Sequence, residues 1–408
     1  MSVRKRTWLN ANGSKGQAWV AEYTDHEGKR RLRTFATKQE ADAFHVSVAG
    51  ELRAGFHVPD SRSVTVAEAG QLWLQRCEAD GLERSTVDYY QQHLDRHIVP
   101  LIGAVKLSRL TVPMVGGFED KLALDRSPVM VRKVRTSLGA LLTDAQLRGL
   151  VGQNVVHALA RRRPGKERRV AARQKGKLQA GVDIPSPDEI RAIIAAAGNG
   201  DGSDGRHAVL LTAIFTGLRI SELRGLRWDN VDLKRSELHV RQRADRYNAI
   251  GKPKSVAGER VIPLPPMLVS TLRKWKLACP NGDLGLVFPA ADGSVESYVN
   301  ITRHILVPTL LAAGITSPVL VEHGKPAKDD DGKPIVTAKY GWHSLRHFYA
   351  SWCINRKVDG GLELPAKMVQ QRMGHASIAI TMDVYGHLFP SGDDGAELAA
   401  AEKALVAI

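Results

Sequence analysis

Residues 161–177, RRRPGKERRVAARQKGK, hold nine Lys and Arg against one acid, and they constrain this chain more than any other stretch. Like charges at that density repel and stay hydrated, so the run belongs to no core. Patterned apolar sequence lies on both sides of it. It therefore reads as a linker between domains, and 408 residues favour two or three of them. Residues 1–180 carry 31 Lys+Arg and 18 Asp+Glu, whereas residues 181–408 carry 27 and 25. A basic front half joined to a nearly neutral back half calls for a polyanionic partner, nucleic acid first. The three cysteines, Cys77, Cys279 and Cys353, are far apart. They suggest neither a disulfide framework nor a C-x-x-C metal pair, and a reducing cytosol fits them. The start, MSVRKRTWLN, is basic with no apolar stretch behind it, so no signal peptide is expected. The longest apolar run, between Arg206 and Arg219, is too short to span a bilayer.

In the front half, residues 17–35 alternate as a β-hairpin turning at Asp25–Gly28. Thr37-Lys-Gln-Glu40 then opens a helix with a capping-box pattern, ending before Gly55. Lys29, Arg30, Arg31 and Arg33 on this small sheet are candidate DNA contacts. Residues 61–63 read as a linker and Thr65-Val-Ala-Glu68 as a second capping box. From there to about Leu159 four segments carry apolar residues at helical spacing, each closed by Gly or Pro. Trp73, Tyr89 and Tyr90 in them read as core or plain surface. In the basic run, Arg161, Arg162, Arg163, Lys166, Arg168 and Arg169 are expected to cross a phosphate backbone, with affinity that falls steeply with salt.

In the back half, Pro185–Ile190 opens the last domain with a helix over 187–197, and His207–Phe215 reads as a buried helix capped by Gly217. Arg219 follows at a bend between two helices, where Ser221 is expected to cap the second. Residues 236–243 and 259–264 alternate as one hairpin, with Lys252-Pro-Lys254 between. Residues 317–339 are rich in Gly, Pro and Asp and read as a solvated loop; Asp329–Asp331 lack a Glu at ligand spacing for a metal. The alanine-rich tail after Pro390 is helical in propensity, with Leu398 and Leu405 on one narrow stripe. That stripe could pack on its own domain or on a neighbouring subunit.

The stretch from Gly341 to Pro390 carries the chemistry. His343 and Arg346 lie three residues apart, on one face of a helix. Gly374-His375 and then Tyr385 follow. An arginine fork meets phosphate oxygens well, and tyrosine is among the side chains that form covalent intermediates. Such a set suits cations holding a phosphodiester while a phenol oxygen attacks it.

This stretch resembles the tyrosine recombinases, the phage-integrase family, through His343-Ser-Leu-Arg346-His347, Gly374-His375 and Tyr385-Gly-His-Leu. The phrase Thr216-Gly-Leu-Arg219-Ile-Ser-Glu222 resembles that family's upstream arginine box. The resemblance implies a multidomain fold, mainly α with small β-sheets. A small N-terminal arm-type DNA-binding domain (1–60) would precede a helical core-binding domain (64–160) and the basic linker (161–184). A mixed α+β catalytic domain (185–390) and a C-terminal helical tail (391–408) would follow. Arg219 and Arg346 would clamp the scissile phosphate, with His343 and His375 as further donors and Tyr385 as nucleophile. Lys254, preferred to Lys252 for standing nine residues before Pro263, would be the general acid. Glu222 would orient an arginine or histidine, and His347 and His387 read as structural or as supports for neighbouring site residues.

The implied activity is site-specific recombination through a 3′-phosphotyrosyl intermediate, integrating or excising a prophage or other mobile element. The implied partners are double-stranded DNA, a homotetramer on paired sites and an accessory DNA-bending or directionality factor, with no membrane. No metal or other cofactor is expected, since arginines already hold the phosphate. The expected location is the cytoplasm, at the nucleoid when bound to DNA. A chromosome- or plasmid-dimer resolvase and a type IB topoisomerase share the chemistry, and a catalytically inactive DNA-binding relative is the non-enzyme alternative.

Overall fold

The computed structural model describes residues 2–9, 14–25, 27–53, 55, 57–160, 177–198, 205–320, 326–390 and 394–406. The chain forms two compact units, Met1–Lys166 and Glu167–Ile408. Arg161, Arg162, Arg163, Lys166, Arg168 and Arg169, expected to cross DNA, lie outside the described residues.

The first unit begins with an antiparallel sheet in the order β1 (Ser2–Leu9), β2 (Lys15–Thr24), β3 (Arg30–Phe35). The β2–β3 pair is the expected hairpin, with Trp19 opposite Phe35 and Tyr23 opposite Arg31. β1 is a third strand that the sequence pattern did not suggest. Helix α1 (Lys38–Arg53) is opened by reciprocal bonds between Thr37 and Glu40, 3.2 and 3.3 Å long.

Strand alternation gives the sheet two faces. On the α1 side, the Tyr23 ring lies 6.0 Å from that of Phe44. On the open side, Glu22 is paired with both Arg4 and Arg30. The four cations expected to meet DNA are thereby divided. Lys29 is exposed at the turn and Arg30 lies on the open face. Arg31 donates to Asp25 at 2.8 Å, and Arg33 lies 4.7 Å from the Phe44 centroid, on the α1 side.

The helical part of this unit holds α2 (Val66–Ala79), α3 (Arg84–His93), α4 (Val99–Ile102), α5 (Val112–Asp125), α6 (Pro128–Leu147) and α7 (Val155–Ala160). Thr65, Thr111 and Ser127 cap α2, α5 and α6 through their hydroxyls. A π-turn at Leu94–Ile98 precedes Pro100, and another at Thr302–Leu306 precedes Pro308. The wider turn leaves room for a ring that would otherwise meet the carbonyl four residues back. Trp73, Leu94, Phe118, Leu138 and Leu142 fill the core; Tyr90 packs on Trp73 and Tyr89 is exposed.

In the second unit, α8 (Pro187–Ala196) starts with the Ser186–Glu189 capping box. Helices α9 (Gly205–Thr216) and α10 (Ile220–Arg224) follow. A sheet in the order β4 (Val231–Asp232), β5 (Glu237–Val240), β8 (Arg260–Pro263) contains the expected hairpin; between β5 and β8 a ribbon of β6 (Arg243–Ala244) and β7 (Ile250–Gly251) intervenes. Helices α11 (Pro266–Ala278), α12 (Tyr298–Ile301) and α13 (Val307–Ala312) lead to β9 (Thr316–Pro318), which pairs with β10 (Val336–Ala338). The stretch read as a loop is thus partly a ladder, extended by Leu320–Pro326 and Lys328–Pro334 bridges. Asp329 closes its turn by accepting from the Asp331 and Lys333 amides. Last come α14 (Trp342–Ile354), α15 (Ala366–Met373), α16 (Ile378–Tyr385) and α17 (Asp394–Val406). Leu210, Ile214, Leu238, Ile262, Leu272, Leu345 and Tyr349 form the core. Leu398 and Leu405 of α17 are exposed. Among the described residues no helix is long and apolar enough to cross a membrane.

Candidate active site

Two tight turns create the site. Gly217, after α9, has φ +58°, and a Cβ there would stand 2.3 Å from the Tyr349 ring, so only glycine fits. Gly374, after α15, has φ +63°, and its Cβ would meet the Arg260 guanidinium and the Ala257 carbonyl at about 3 Å. Both turns present carbonyls to arginines. Arg346, on α14 and 3% exposed, donates to Gly217 O at 2.5 Å and to Met373 O. Burial, and then Arg219, push its pKa down to about 9. It remains the charged form at neutral pH.

Arg219 is itself the residue before α10, with extended backbone (φ −66°, ψ 146°). Its amide donates to Glu222 Oε2 at 2.9 Å and its Nη1 to Glu222 Oε1 at 2.8 Å. The cap expected from Ser221 is instead made by Glu222, the third residue of α10, reaching back to the Arg219 amide. Arg219 Nη2 donates to Gly374 O at 3.3 Å, and the side chain is 39% exposed. One guanidinium is thus sealed in the frame while the other faces outward.

Glu222 is the hub. It accepts from Arg260 at 2.8 and 3.1 Å as well as from Arg219. Burial alone would raise its pKa, but Arg260, Arg346 and Arg219 hold it at about 2. Arg260 also donates to Arg372 O at 2.8 Å and Gly258 O at 3.0 Å. Three arginines around one carboxylate leave net positive charge, which suits a phosphodiester.

Tyr385 ends α16 and is 2% exposed. Burial lifts its pKa to about 12 against the pull of Arg346 and Arg219. Its hydroxyl lies 2.7 Å from Nδ1 of His347. Burial, then His343 and Arg346, push His347 down to about 4, so a neutral imidazole faces a neutral phenol at pH 7. His347, read from sequence as structural or as a support for the site, is the tyrosine's partner. Its spacing of four from His343 was the available signal, since such residues share a helix face. The His343 ring stands edge-on to that of His347 at 4.7 Å and opens to solvent; crowding by protein atoms, then Arg346 and Arg219, lower its pKa.

The His375 ring lies parallel to Tyr385 at 6.2 Å, with Nδ1 2.9 Å from Thr381 Oγ1. Burial and the arginines push it down to about 4. Lys254 stands in an exposed bend between β7 and β8, whose next turn (Val256–Gly258) packs on Gly374 through Ala257 O. His387 is bonded to Leu178 O at 2.7 Å, away from the phenol. Arg260 was missed in the sequence because a buried arginine in a strand reads as a surface one.

The phage integrase family model matches residues 186–391, which contain this whole constellation. A tyrosine recombinase XerC-like protein of Caldanaerobacter subterraneus is 25% identical over 384 residues, 90% of each chain. An integrase of Streptomyces ambofaciens is 26% identical over 392 residues, 91% of this chain and 89% of that one. Among solved structures, the Tn1549 transposon integrase with circular-intermediate DNA superposes with TM-score 0.58 at 15% identity, covering 84% of this chain and all of that one. A lambda integrase tetramer bound to a Holliday junction gives 0.53 at 17%, covering 91% and 95%. At these identities the structures show the fold alone.

Proposed function

The chain belongs to the phage integrase family and is a tyrosine recombinase of the integrase type, and on that premise we propose that Tyr385 attacks a scissile phosphate of double-stranded DNA held by Arg219 and Arg346. The observation that carries this is the convergence of an outward-facing Arg219, a sealed Arg346 and a phenol bonded to an imidazole, on elements far apart in sequence. The arginines meet the charge that grows on the non-bridging oxygens in the pentavalent transition state. His343 and His375 add hydrogen bonds to the same oxygens.

As the Tyr385 Oη–P bond forms, the phenol proton passes to an imidazole, His347 or His343. The P–O5′ bond breaks, and Lys254 protonates the departing oxygen. The products are a 3′-phosphotyrosyl link and a 5′-hydroxyl. Attack by a 5′-hydroxyl reverses the step with no outside energy source.

The substrate sites are those of a prophage or other mobile element, exchanged by a homotetramer in the cytoplasm with an accessory bending or directionality factor. The relatives that support this are integrases, one of them solved as a tetramer on a Holliday junction. Residues 1–60 form the arm-type module, 64–160 the core-binding domain, 161–184 a strap on the DNA and 185–390 the catalytic domain, while α17 docks on a neighbouring protomer. A dimer resolvase would share the chemistry; the additional N-terminal sheet favours the integrase reading.

The test is covalent trapping on a nicked suicide duplex that carries the candidate attachment site. Wild type is expected to give an adduct stable on a denaturing gel, absent in Tyr385→Phe. An adduct that persists in Tyr385→Phe would sink the assignment of the nucleophile.

A further inference from the structure

Arg224 is an arginine for which the reaction above has no use, yet it is 3% exposed and fully engaged. Its Nε donates to Glu296 O at 2.6 Å and its Nη1 to Asp245 O at 3.0 Å; Nη2 donates to Asn248 Oδ1. Asp245 and Asn248 form the turn of the β6–β7 ribbon, and Asn248 has φ +64°, a conformation asparagine tolerates. The ribbon also sits tightly on the end of α10, where Gln242 donates to Gly225 O at 2.7 Å and a Cβ at Gly225 would stand 2.6 Å from the Ala244 nitrogen.

The segment from Asp245 to Arg260 carries Lys254. Its far end is held by Arg260, bonded to Glu222 at 2.8 Å. Its near end is held by Arg224. Glu222 and Arg224 are both residues of the five-residue helix α10, and Arg219 is the residue before it. One short helix therefore grips both ends of the lysine segment and presents the outward arginine of the clamp.

We propose that Arg224 is a positioning residue that sets the β6–β7 ribbon, and through it Lys254, in register with the phosphate held by Arg219. This rests on the reading of Lys254 as the general acid. The bonds Arg224 makes are to carbonyls and an amide side chain, so their work is geometric and not charge neutralisation.

The experiment compares suicide duplexes with oxygen or sulfur at the 5′-bridging position of the scissile phosphate. A thiolate, with a thiol pKa near ~8.5, departs without a proton, so sulfur removes the need for the general acid. Lys254→Ala is expected to lose roughly 100-fold or more in single-turnover cleavage on oxygen, and to recover to near wild type on sulfur. Arg224→Met is expected to lose about 10-fold or more on oxygen and recover on sulfur in the same way. Asn248→Gly keeps the turn's backbone freedom, removes one acceptor and should show a smaller loss with the same recovery; it serves if Arg224→Met does not fold.

Equal loss on both substrates by Arg224→Met and Asn248→Gly, with Lys254→Ala rescued, overturns the positioning role and leaves the acid in place. No loss in either variant overturns it as well. Failure of sulfur to rescue Lys254→Ala overturns the general-acid reading itself, and the inference with it.

Discussion

The active site and the N-terminal sheet are both built from arginines, and they use them in opposite ways. Around Glu222, Arg260 and Arg346 are 4% and 3% exposed, and carbonyls or one carboxylate fix their guanidinium groups. On the sheet, Arg4 and Arg30 are about 60% exposed and share Glu22 on an open face. Buried charges cannot be rehydrated at small cost, so each must be held in one place. Exposed ones are screened and mobile, and contribute through number. The first arrangement suits a phosphorus atom that must be located within a fraction of an ångström; the second suits a polyanion met at many positions. Charge counts alone do not distinguish them.

The sharpest way to break this contrast is Arg346→Ala. It should lower the cleavage rate on suicide DNA by about 100- to 1,000-fold, the scale of a lost transition-state donor. Binding of the same duplex in a gel-shift assay should change by less than about 10-fold. Parallel loss of both would put Arg346 with the surface cations and remove the distinction.

Glu222→Gln comes next. Removing one partner of a buried ion cluster leaves guanidiniums uncompensated, at about 3–5 kcal/mol, read as a fall in urea midpoint. The pH dependence has a definite sign. Glu222 titrates near 2 in the folded chain and near ~4.3 unfolded. Its contribution is therefore complete above about pH 4.3 and lost as pH falls towards 2. Wild type should weaken over that window and Glu222→Gln should lack the part due to this group.

The same contrast explains what the sequence discloses. Local signals were legible: the boxes at Thr37 and Thr65 fall where short-range hydrogen bonding places them. Arg219, His343, Arg346, His375 and Tyr385 could be picked out by spacing and resemblance, and all lie at the site. β1 was not legible, because an edge strand exposed along nearly its whole length carries no apolar alternation. The 317–339 ladder was hidden for the same reason. Arg260 and Arg224 were hidden for another: their acceptors come from residues 38 and 72 positions away, and nothing local marks a cation as buried. Ser221 misled because a serine near a helix start is a good cap in general; here Glu222 already serves the Arg219 amide.

His347→Leu tests a smaller effect, on the phenol. The substitution keeps bulk beside Tyr385 and removes the acceptor at 2.7 Å. Cleavage should slow by about 10- to 100-fold at pH 7, less than for a clamp arginine. The deficit should shrink as pH rises, because hydroxide then competes for the phenol proton. A deficit that does not change between pH 7 and pH 10 would assign His347 to packing alone.

The smallest effect is expected where the arginines are most exposed. Arg4→Ala, Arg6→Ala and Arg30→Ala each remove one cation; Arg6 shares the open face with Arg4 by strand alternation. Each change should reduce the slope of log affinity against log salt by about 1 on DNA that contains an arm site, without altering the cleavage rate at saturating protein. Arg31→Ala is the counterpart within the same strand. Arg31 is tied to Asp25, whose carboxylate also accepts from the Glu27 and Lys29 amides, so its loss should loosen the β2–β3 turn. The readout is faster amide exchange at that turn, with the salt slope unchanged. If Arg31→Ala shifted the slope as Arg30→Ala does, the division of this sheet into a DNA face and a packing face would be wrong, and its arginines would act by number alone.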